Sequence, residues 1–352
     1  MSSGYRFTVW RGQKDGSVSE DTTERPTLTG DQVYINVTHS GVCGSDLHYI
    51  PFGMALGHEG VGVVEATGPE VKSLKVGDRV GWGFPFDSCG TCEKCMDGYP
   101  TICDTPAYYG TANLDSGSFA TGAVRKESFV FRIPDNMPSE QAAPMMCGGI
   151  TVFAPLMLCG VKPSDTVGVV GMGGLGHLAV QFARAMGCEV VVFSQTDSKK
   201  EDAMKLGASC FVATRGKKDL TSDVSSKVHH LLVTTAELPD WDLFFPILAQ
   251  GAAIFPLTAT GPEAQLALPH MKFLLNGAKV QSSMPSKKTY SDMLKFAARN
   301  NVRAIIECEP LSTEGINNIF DRLREGKVRY RGVLCKHFNA VHKISSINNT
   351  CV

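Results

Sequence analysis

The sequence predicts an α/β protein of two domains, a turn-rich β domain followed by a doubly wound parallel sheet with helices on both faces. Three observations point there. The chain has 352 residues, more than one hydrophobic core usually supports, so two domains are expected, with a discontinuous boundary allowed. Residues 1–145 carry short β-like runs (Val33–Thr38, Gly60–Glu65, Arg79–Trp82) between Gly, Pro and Asp signals. From Asp165 onward, buried-strand patterns alternate with helical ones.

The second region starts with a strand at Thr166–Val170 and a glycine turn. A helix follows, with apolar residues at Leu175, Leu178, Ala179, Phe182, Ala183 and Met186, a 3.6-residue period that ends at Gly187. Further strands are expected at Glu189–Phe193, Cys210–Ala213, His230–Thr234, Ala252–Leu257 and Lys279–Ser282, and helices at Ser198–Leu206 and Tyr290–Arg299. A strand at Ala304–Glu307, a helix near Thr313–Glu325 and a strand around Tyr330–Cys335 complete the pattern and can rejoin the N-terminal domain. The Ser/Asn-rich end after Ala340 reads as a loose tail.

Composition narrows the function. With 43% hydrophobic and 20% charged residues and a formal net charge of −1, the chain has no bulk attraction to nucleic acid or anionic membranes, so a small, neutral partner is favoured. The N-terminus lacks the apolar core of a secretory signal and no run has the length of a membrane span, so a cytoplasmic location is expected. In such a chain the 12 cysteines favour metal binding over disulfides.

Spacing singles out four of them. Cys89-x2-Cys92-x2-Cys95-x7-Cys103 offers four thiolates in one short lobe, a set that closes a structural zinc site and leaves no position for substrate. The commoner iron–sulfur motifs are spaced differently.

A second set is scattered. Cys43, His58 in the triplet Gly57-His58-Glu59, and Cys147 provide two thiolates and an imidazole, which leave the fourth position of zinc open for chemistry. Zinc there polarises a carbonyl oxygen, or lowers the pKa of an alcohol in the reverse direction. Asp46 can hold the non-ligating nitrogen of His58 or serve as a turn cap. Ser45 and His48 can pass a proton between the substrate oxygen and bulk water; a structural or solvent-facing role for His48 is the alternative.

Gly171-Met172-Gly173-Gly174-Leu175-Gly176 follows a strand and opens a helix, the context in which GxGxxG binds a dinucleotide pyrophosphate. The end of the next strand reads Val192-Phe193-Ser194-Gln195-Thr196, and Ser194 occupies the position where NAD-binding sheets usually carry Asp or Glu. Thr196 and Ser198 can donate hydrogen bonds, and Lys199 and Lys200 can offset a phosphate, so NADPH is preferred over NADH. Asp197 is a like charge to that phosphate, and the lysines also read as a solvated helix start.

On these residues, and on Gly41-to-His48, Cys147-to-Thr151, Phe193-to-Lys200 and Val328-to-Arg331, the chain resembles the zinc-containing medium-chain dehydrogenase/reductases over nearly its full length, in their cinnamyl alcohol dehydrogenase-like branch. The resemblance implies a GroES-like catalytic domain (1–148, with the zinc lobe at 89–103), a Rossmann NADP-binding domain (149–290) and a C-terminal segment (291–352) returning to the first. It also implies two zinc ions per chain, a homodimer, Cys43, His58 and Cys147 as catalytic zinc ligands, and Glu59 as an adjacent or transient ligand. Ser45 and His48 become the proton relay, and Thr151 lies beside the nicotinamide. Two departures stand out. The stretch from Cys43 to His58 is shorter than in many relatives, which removes part of a loop over the substrate entrance, and Ser282-Ser283-Met284-Pro285 replaces a more glycine-rich stretch. Trp82 and Tyr109 read as pocket walls or as packing.

The leading expectation is NADPH-dependent, zinc-assisted interconversion of an apolar or aromatic aldehyde and its primary alcohol. Reduction of an iminium or conjugated alkene is the alternative within redox chemistry. A non-catalytic NADPH-binding sensor is the alternative from another class.

Overall fold

The computed structural model describes residues 4–112, 114–260 and 263–338; the tail expected after Ala340 lies outside them. The chain opens with an antiparallel hairpin of β1 (Tyr5–Gly12) and β2 (Val18–Arg25). In β3 (Gln32–Val42) alternation buries Val33, Ile35 and Val37 completely and turns Tyr34 and Asn36 to the other face. Burial of each such side chain contributes about 1.5–3 kcal/mol. α1 (Gly44–Tyr49) follows at once. Then come β4 (Gly60–Thr67), β5 (Arg79–Trp82), β6 (Pro85–Asp87), α2 (Glu93–Met96), β7 (Ala107–Tyr108), β8 (Gly122–Lys126), β9 (Phe131–Arg132) and α3 (Ser139–Ala142).

α4 (Gly148–Leu158) leads into β10 (Thr166–Val170), α5 (Gly176–Ala185), β11 (Glu189–Ser194), α6 (Lys200–Lys205), β12 (Cys210–Ala213), β13 (Val228–Val233), α7 (Trp241–Phe244), β14 (Leu248–Pro256), α8 (His270–Asn276) and β15 (Lys279–Val280). The six strands are parallel, in the order β12-β11-β10-β13-β14-β15. The chain starts mid-sheet, winds to one edge and then to the other, the doubly wound Rossmann topology with its switch point between β10 and β13. All five residues of β10 are buried, as a strand covered on both faces requires.

The last elements are α9 (Lys287–Arg299), β16 (Ile306–Pro310), α10 (Thr313–Arg324) and β17 (Arg331–Cys335). β16 and β17 extend the N-terminal strands into a seven-stranded sheet, β16-β17-β3-β4-β5-β9, with β8 also paired to β3. β16 runs Ile306–Pro310, beginning two residues later than the expected Ala304, and the Ile305 carbonyl just before it accepts from the N–H groups of Tyr330 and Arg331. α10 is capped by Ser312, whose hydroxyl accepts from the Gly315 N–H.

Two compact units result. One takes the chain up to Ile150, Pro285–Ala298 and the part from Arg303 on; the other takes Thr151–Met284 and Arg299–Val302. Among the described residues no single helix is long and apolar enough to cross a membrane.

Candidate active site

Three neighbouring strands of the seven-stranded sheet converge on one point. β3 ends at Val42 immediately before Cys43, β4 begins immediately after His58 and Glu59, and β17 begins with Arg331. Their register pairs Ser40 with Gly60 and Val42 with Gly332, so the four side chains meet at the same level of the sheet. The turn of Ala143–Met146 packs against β3, β4 and β5 and delivers Cys147 to the same place. Cys43, His58, Glu59 and Cys147 thus bring one ligand atom each to within 4.8 Å of one another.

The hydrogen bonds fix this arrangement. Asp46 in α1 accepts from the Cys43 N–H through Oδ2 (2.9 Å) and from His58 Nδ1 through Oδ1 (2.8 Å), so it serves as cap and imidazole holder at once. His58 Nε2 is thereby turned toward Cys147 Sγ, at 3.2 Å, and the Cys43 and Cys147 sulfurs stand 4.0 Å apart. A tetrahedral zinc separates two sulfurs by about 3.8 Å and a sulfur from a nitrogen by about 3.6 Å, so the donor set fits that ion. Burial acts to lower the basicity of His58, but the Asp46 carboxylate outweighs it and raises the imidazole well above its ordinary range. The hydrogen bond with Cys147 holds the Cys43 thiol well below the ordinary thiol range, against burial, which acts the other way.

Glu59 is completely buried. Arg331 donates to its Oε1, while Oε2 has no hydrogen-bond partner. Burial, offset in part by the Arg331 guanidinium, pushes the carboxyl up to about 7. Gly41 makes room for it, since a Cβ there would sit 1.9 Å from Glu59 Oε2. Ser45 Oγ lies 3.6 Å from Cys43 Sγ, and His48, one helical turn further along α1, is exposed.

Two further residues belong to this network: Arg331, which carries no expected site role, and Tyr109, expected as a pocket wall or as packing. Arg331 pairs with Glu59 across 272 positions, a distance at which spacing carries no signal. Tyr109 is buried, donates to Asp46 Oδ1 (3.1 Å), accepts from the Gly57 N–H (2.8 Å) and lies against the His58 ring, so it braces the imidazole. Trp82 is core packing, with no exposed surface.

The four-cysteine lobe is a second, separate cluster. Its sulfurs stand 3.4 Å (Cys89–Cys103), 3.8 Å (Cys92–Cys103) and 4.0 Å (Cys89–Cys95) apart, again the edges of a zinc–sulfur tetrahedron. Backbone N–H groups of Thr91 and Cys92 draw the Cys89 thiol down to about 6. The N–H groups of Cys89 and Thr105 point at Cys103 Sγ, each at 3.4 Å. Such donors stabilise thiolates.

In the Rossmann unit the glycines divide their labour. Gly171 has φ +94°, the tight turn; a Cβ on Gly176 would sit 2.0 Å from the Gly171 carbonyl oxygen, so helix and strand pack closely; a Cβ on Gly173 would meet nothing within 4 Å, which leaves an open backbone face. Gly174 and Leu175 complete the turn into α5, while Thr151 lies in the first turn of α4, four residues after Cys147. Ser194 ends β11, the hydroxyls of Thr196 and Ser198 are 3.0 Å apart, and Lys199 and Lys200 follow at the start of α6. From the turn after β12, Arg215 reaches Gln195 Oε1 (3.4 Å), a cation near this strand end that the sequence reading passed over.

Comparison with known proteins matches this layout. Residues 29–135 match the alcohol dehydrogenase GroES-like domain and residues 174–299 the zinc-binding dehydrogenase domain. An alcohol dehydrogenase of Geobacillus stearothermophilus is 36% identical over 323 residues, 88% of this chain and 94% of that protein. Cinnamyl alcohol dehydrogenase 8 of Arabidopsis thaliana is 36% identical over 327 residues, 89% of each chain. The crystal structure of CAD from Helicobacter pylori complexed with NADP(H) superposes with a TM-score of 0.86 at 26% identity, covering 95% of this chain and 100% of that one. Sequence and fold therefore agree that this chain belongs to the zinc-containing medium-chain dehydrogenase/reductase family, as an oxidoreductase of the alcohol dehydrogenase and cinnamyl alcohol dehydrogenase type.

Proposed function

We propose that the protein interconverts an apolar or aromatic aldehyde and its primary alcohol, with NADPH preferred over NADH and two zinc ions per chain. The observation that carries the reading is the convergence of Cys43, His58 and Cys147, two sulfurs and one imidazole nitrogen, from three distant segments. Zinc held by these three supplies a Lewis acid for the carbonyl oxygen. NADPH would be held on the Gly171–Gly176 turn, with Thr151 as a further contact, and would supply hydride.

The chain's own residues do the rest. Asp46 fixes the His58 tautomer by accepting from Nδ1, which leaves Nε2 free as a donor of electrons, and Tyr109 braces Asp46. Arg331 neutralises Glu59, which stands as an adjacent or transient ligand with Oε2 unshared. Ser45 and His48 carry the proton from solvent to the substrate oxygen, the exposed imidazole at the outer end. Lys199 and Lys200, which follow Ser194, Thr196 and Ser198 in the chain, and Arg215, which reaches Gln195, offer the positive charge that a 2′-phosphate needs. Cys89, Cys92, Cys95 and Cys103 hold the second zinc in a structural role.

A homodimer is part of this reading. The edge strand β15 is exposed, and Met271, Leu274 and Leu275 of the preceding helix are more than half exposed, an apolar border suited to a second copy.

The test is a panel of aromatic and aliphatic aldehydes assayed with NADPH and NADH. The expected result is a kcat/KM higher by about tenfold or more with NADPH, with deuterium from labelled NADPH on the former carbonyl carbon. Equal use of NADH overturns the cofactor preference; deuterium on an alkene carbon overturns carbonyl reduction.

A further inference from the structure

Away from both cysteine clusters, β8 breaks the rule that inward positions are apolar. Its alternation sends Ala123 and Arg125 to the same buried side, and Arg125 is only 5% exposed. The guanidinium carbon lies 5.4 Å from the Trp82 ring centroid and 5.3 Å from that of Phe86. Nη2 donates to the Ser116 carbonyl, but Nε has no acceptor, and no carboxylate pairs with Arg125 among the described residues. Buried charges are ordinarily paired, because desolvation of an isolated ion is expensive. Desolvation and the nearby Arg25 pull the Arg125 pKa down to about 9, so the site is short of negative charge.

Beside the guanidinium is a cavity of about 130 Å³, several times the share of one water, lined by Arg125, Arg25, Gln32, Asp115, Phe7 and Phe86 among others. Asp115 is the acid on that wall, and it is already engaged, by Arg11, by Arg25 at 3.3 Å and by the Thr23 hydroxyl at 3.3 Å. Two arginines and one aspartate leave the lining with one surplus positive charge, while the aspartate disfavours a divalent guest.

We propose that this cavity binds one small monovalent anion, a halide or the carboxylate of a small organic acid, with Arg125 as its principal ligand and Arg25 at its side. The anion accepts the unused Arg125 Nε–H and supplies the missing countercharge inside the β-rich unit. It has no part in hydride transfer, so its binding is read as stability and occupancy rather than turnover.

The experiment uses the full chain with its metals, in halide-free buffer at constant ionic strength held with a bulky sulfonate. Thermal unfolding is followed as chloride, and separately acetate, replaces the sulfonate. For the wild type the midpoint stays flat at low anion and then rises by about 3 °C per tenfold increase above the dissociation constant, with at least one of the two. The Arg125→Met variant, of similar length without the charge, stays flat. A rise with chloride identifies a halide site and a rise with acetate alone a carboxylate site; equal slopes in wild type and variant overturn the proposal. Should Arg125→Met not fold, wild-type crystals soaked separately in bromide and in acetate decide: anomalous density from bromide, or difference density for acetate, is expected at Arg125 Nε, and the absence of both contradicts a bound anion.

Discussion

The two cysteine clusters use the same chemistry in opposite ways. The lobe gathers Cys89, Cys92, Cys95 and Cys103 from one short stretch in which Cys89 is exposed and Cys103 buried, with backbone N–H groups from the same stretch directed at the sulfurs. The other cluster draws Cys43, His58, Glu59 and Cys147 from the ends of separate elements, buries the imidazole and carboxylate, and surrounds them with Asp46, Tyr109 and Arg331. A local, closed set suits a role in stability; a long-range set of two thiols and one imidazole leaves a position for a substrate. Removing a ligand from each therefore separates two kinds of loss.

The largest effect is expected at Cys147. Cys147→Ala removes one zinc and lowers kcat/KM by roughly 10³-fold or more, while metal analysis finds the lobe zinc still bound. Full reductase activity in that variant breaks the distinction. Cys95→Ser does the converse: zinc leaves the lobe, residues 89–103 become sensitive to protease, and the midpoint of unfolding falls by about 5 °C or more. If Cys95→Ser is as stable as the wild type, the lobe has no structural role.

Support from the surroundings sharpens the contrast. Asp46→Asn keeps the shape but weakens the hold on His58 Nδ1, so zinc affinity at the buried cluster or activity drops about 10–100-fold, with lobe zinc unchanged on equilibrium dialysis. The smallest effect belongs to a group outside both clusters. Burial acts to raise the Glu127 carboxyl, but donors from Lys72, Ser73 and Leu74 outweigh it and hold it at about 2, below the ordinary 4.5. A carboxylate depressed in the folded state contributes stability above pH 4.5 and loses it as pH falls through about 2. Glu127→Gln should lower the unfolding midpoint by about 1 °C at neutral pH, discounted for solvent exposure, and the gap should close across that acid window. A gap that persists at the acid end contradicts the assignment.

Legibility in the sequence followed the same divide. The lobe could be read from spacing alone, and the Gly171–Gly176 turn from its place after a strand and before a helix. In the buried cluster the thiols, imidazole and Asp46 were legible as residue types, but their meeting depends on the register of β17, β3 and β4, which no local pattern carries. Arg331 was invisible as the partner of Glu59 for that reason. α4 is not among the expected helices, and Gly148, Gly149 and Pro155 are poor helix formers; in the structure Gly149 serves close packing, since a Cβ there would lie 2.6 Å from Met145 Sδ. The β1–β2 hairpin was missed because Ser19, Glu20 and Asp21 leave β2 without a run of apolar alternation.

The account turns on there being two metal centres of different kinds. The most direct measurement is anomalous diffraction at the zinc edge from crystals of the full chain. It should give two peaks, one enclosed by the four sulfurs of Cys89, Cys92, Cys95 and Cys103, the other held by Cys43, His58 and Cys147 with a position left for substrate. A zinc-loaded protein with density at the lobe alone would contradict it.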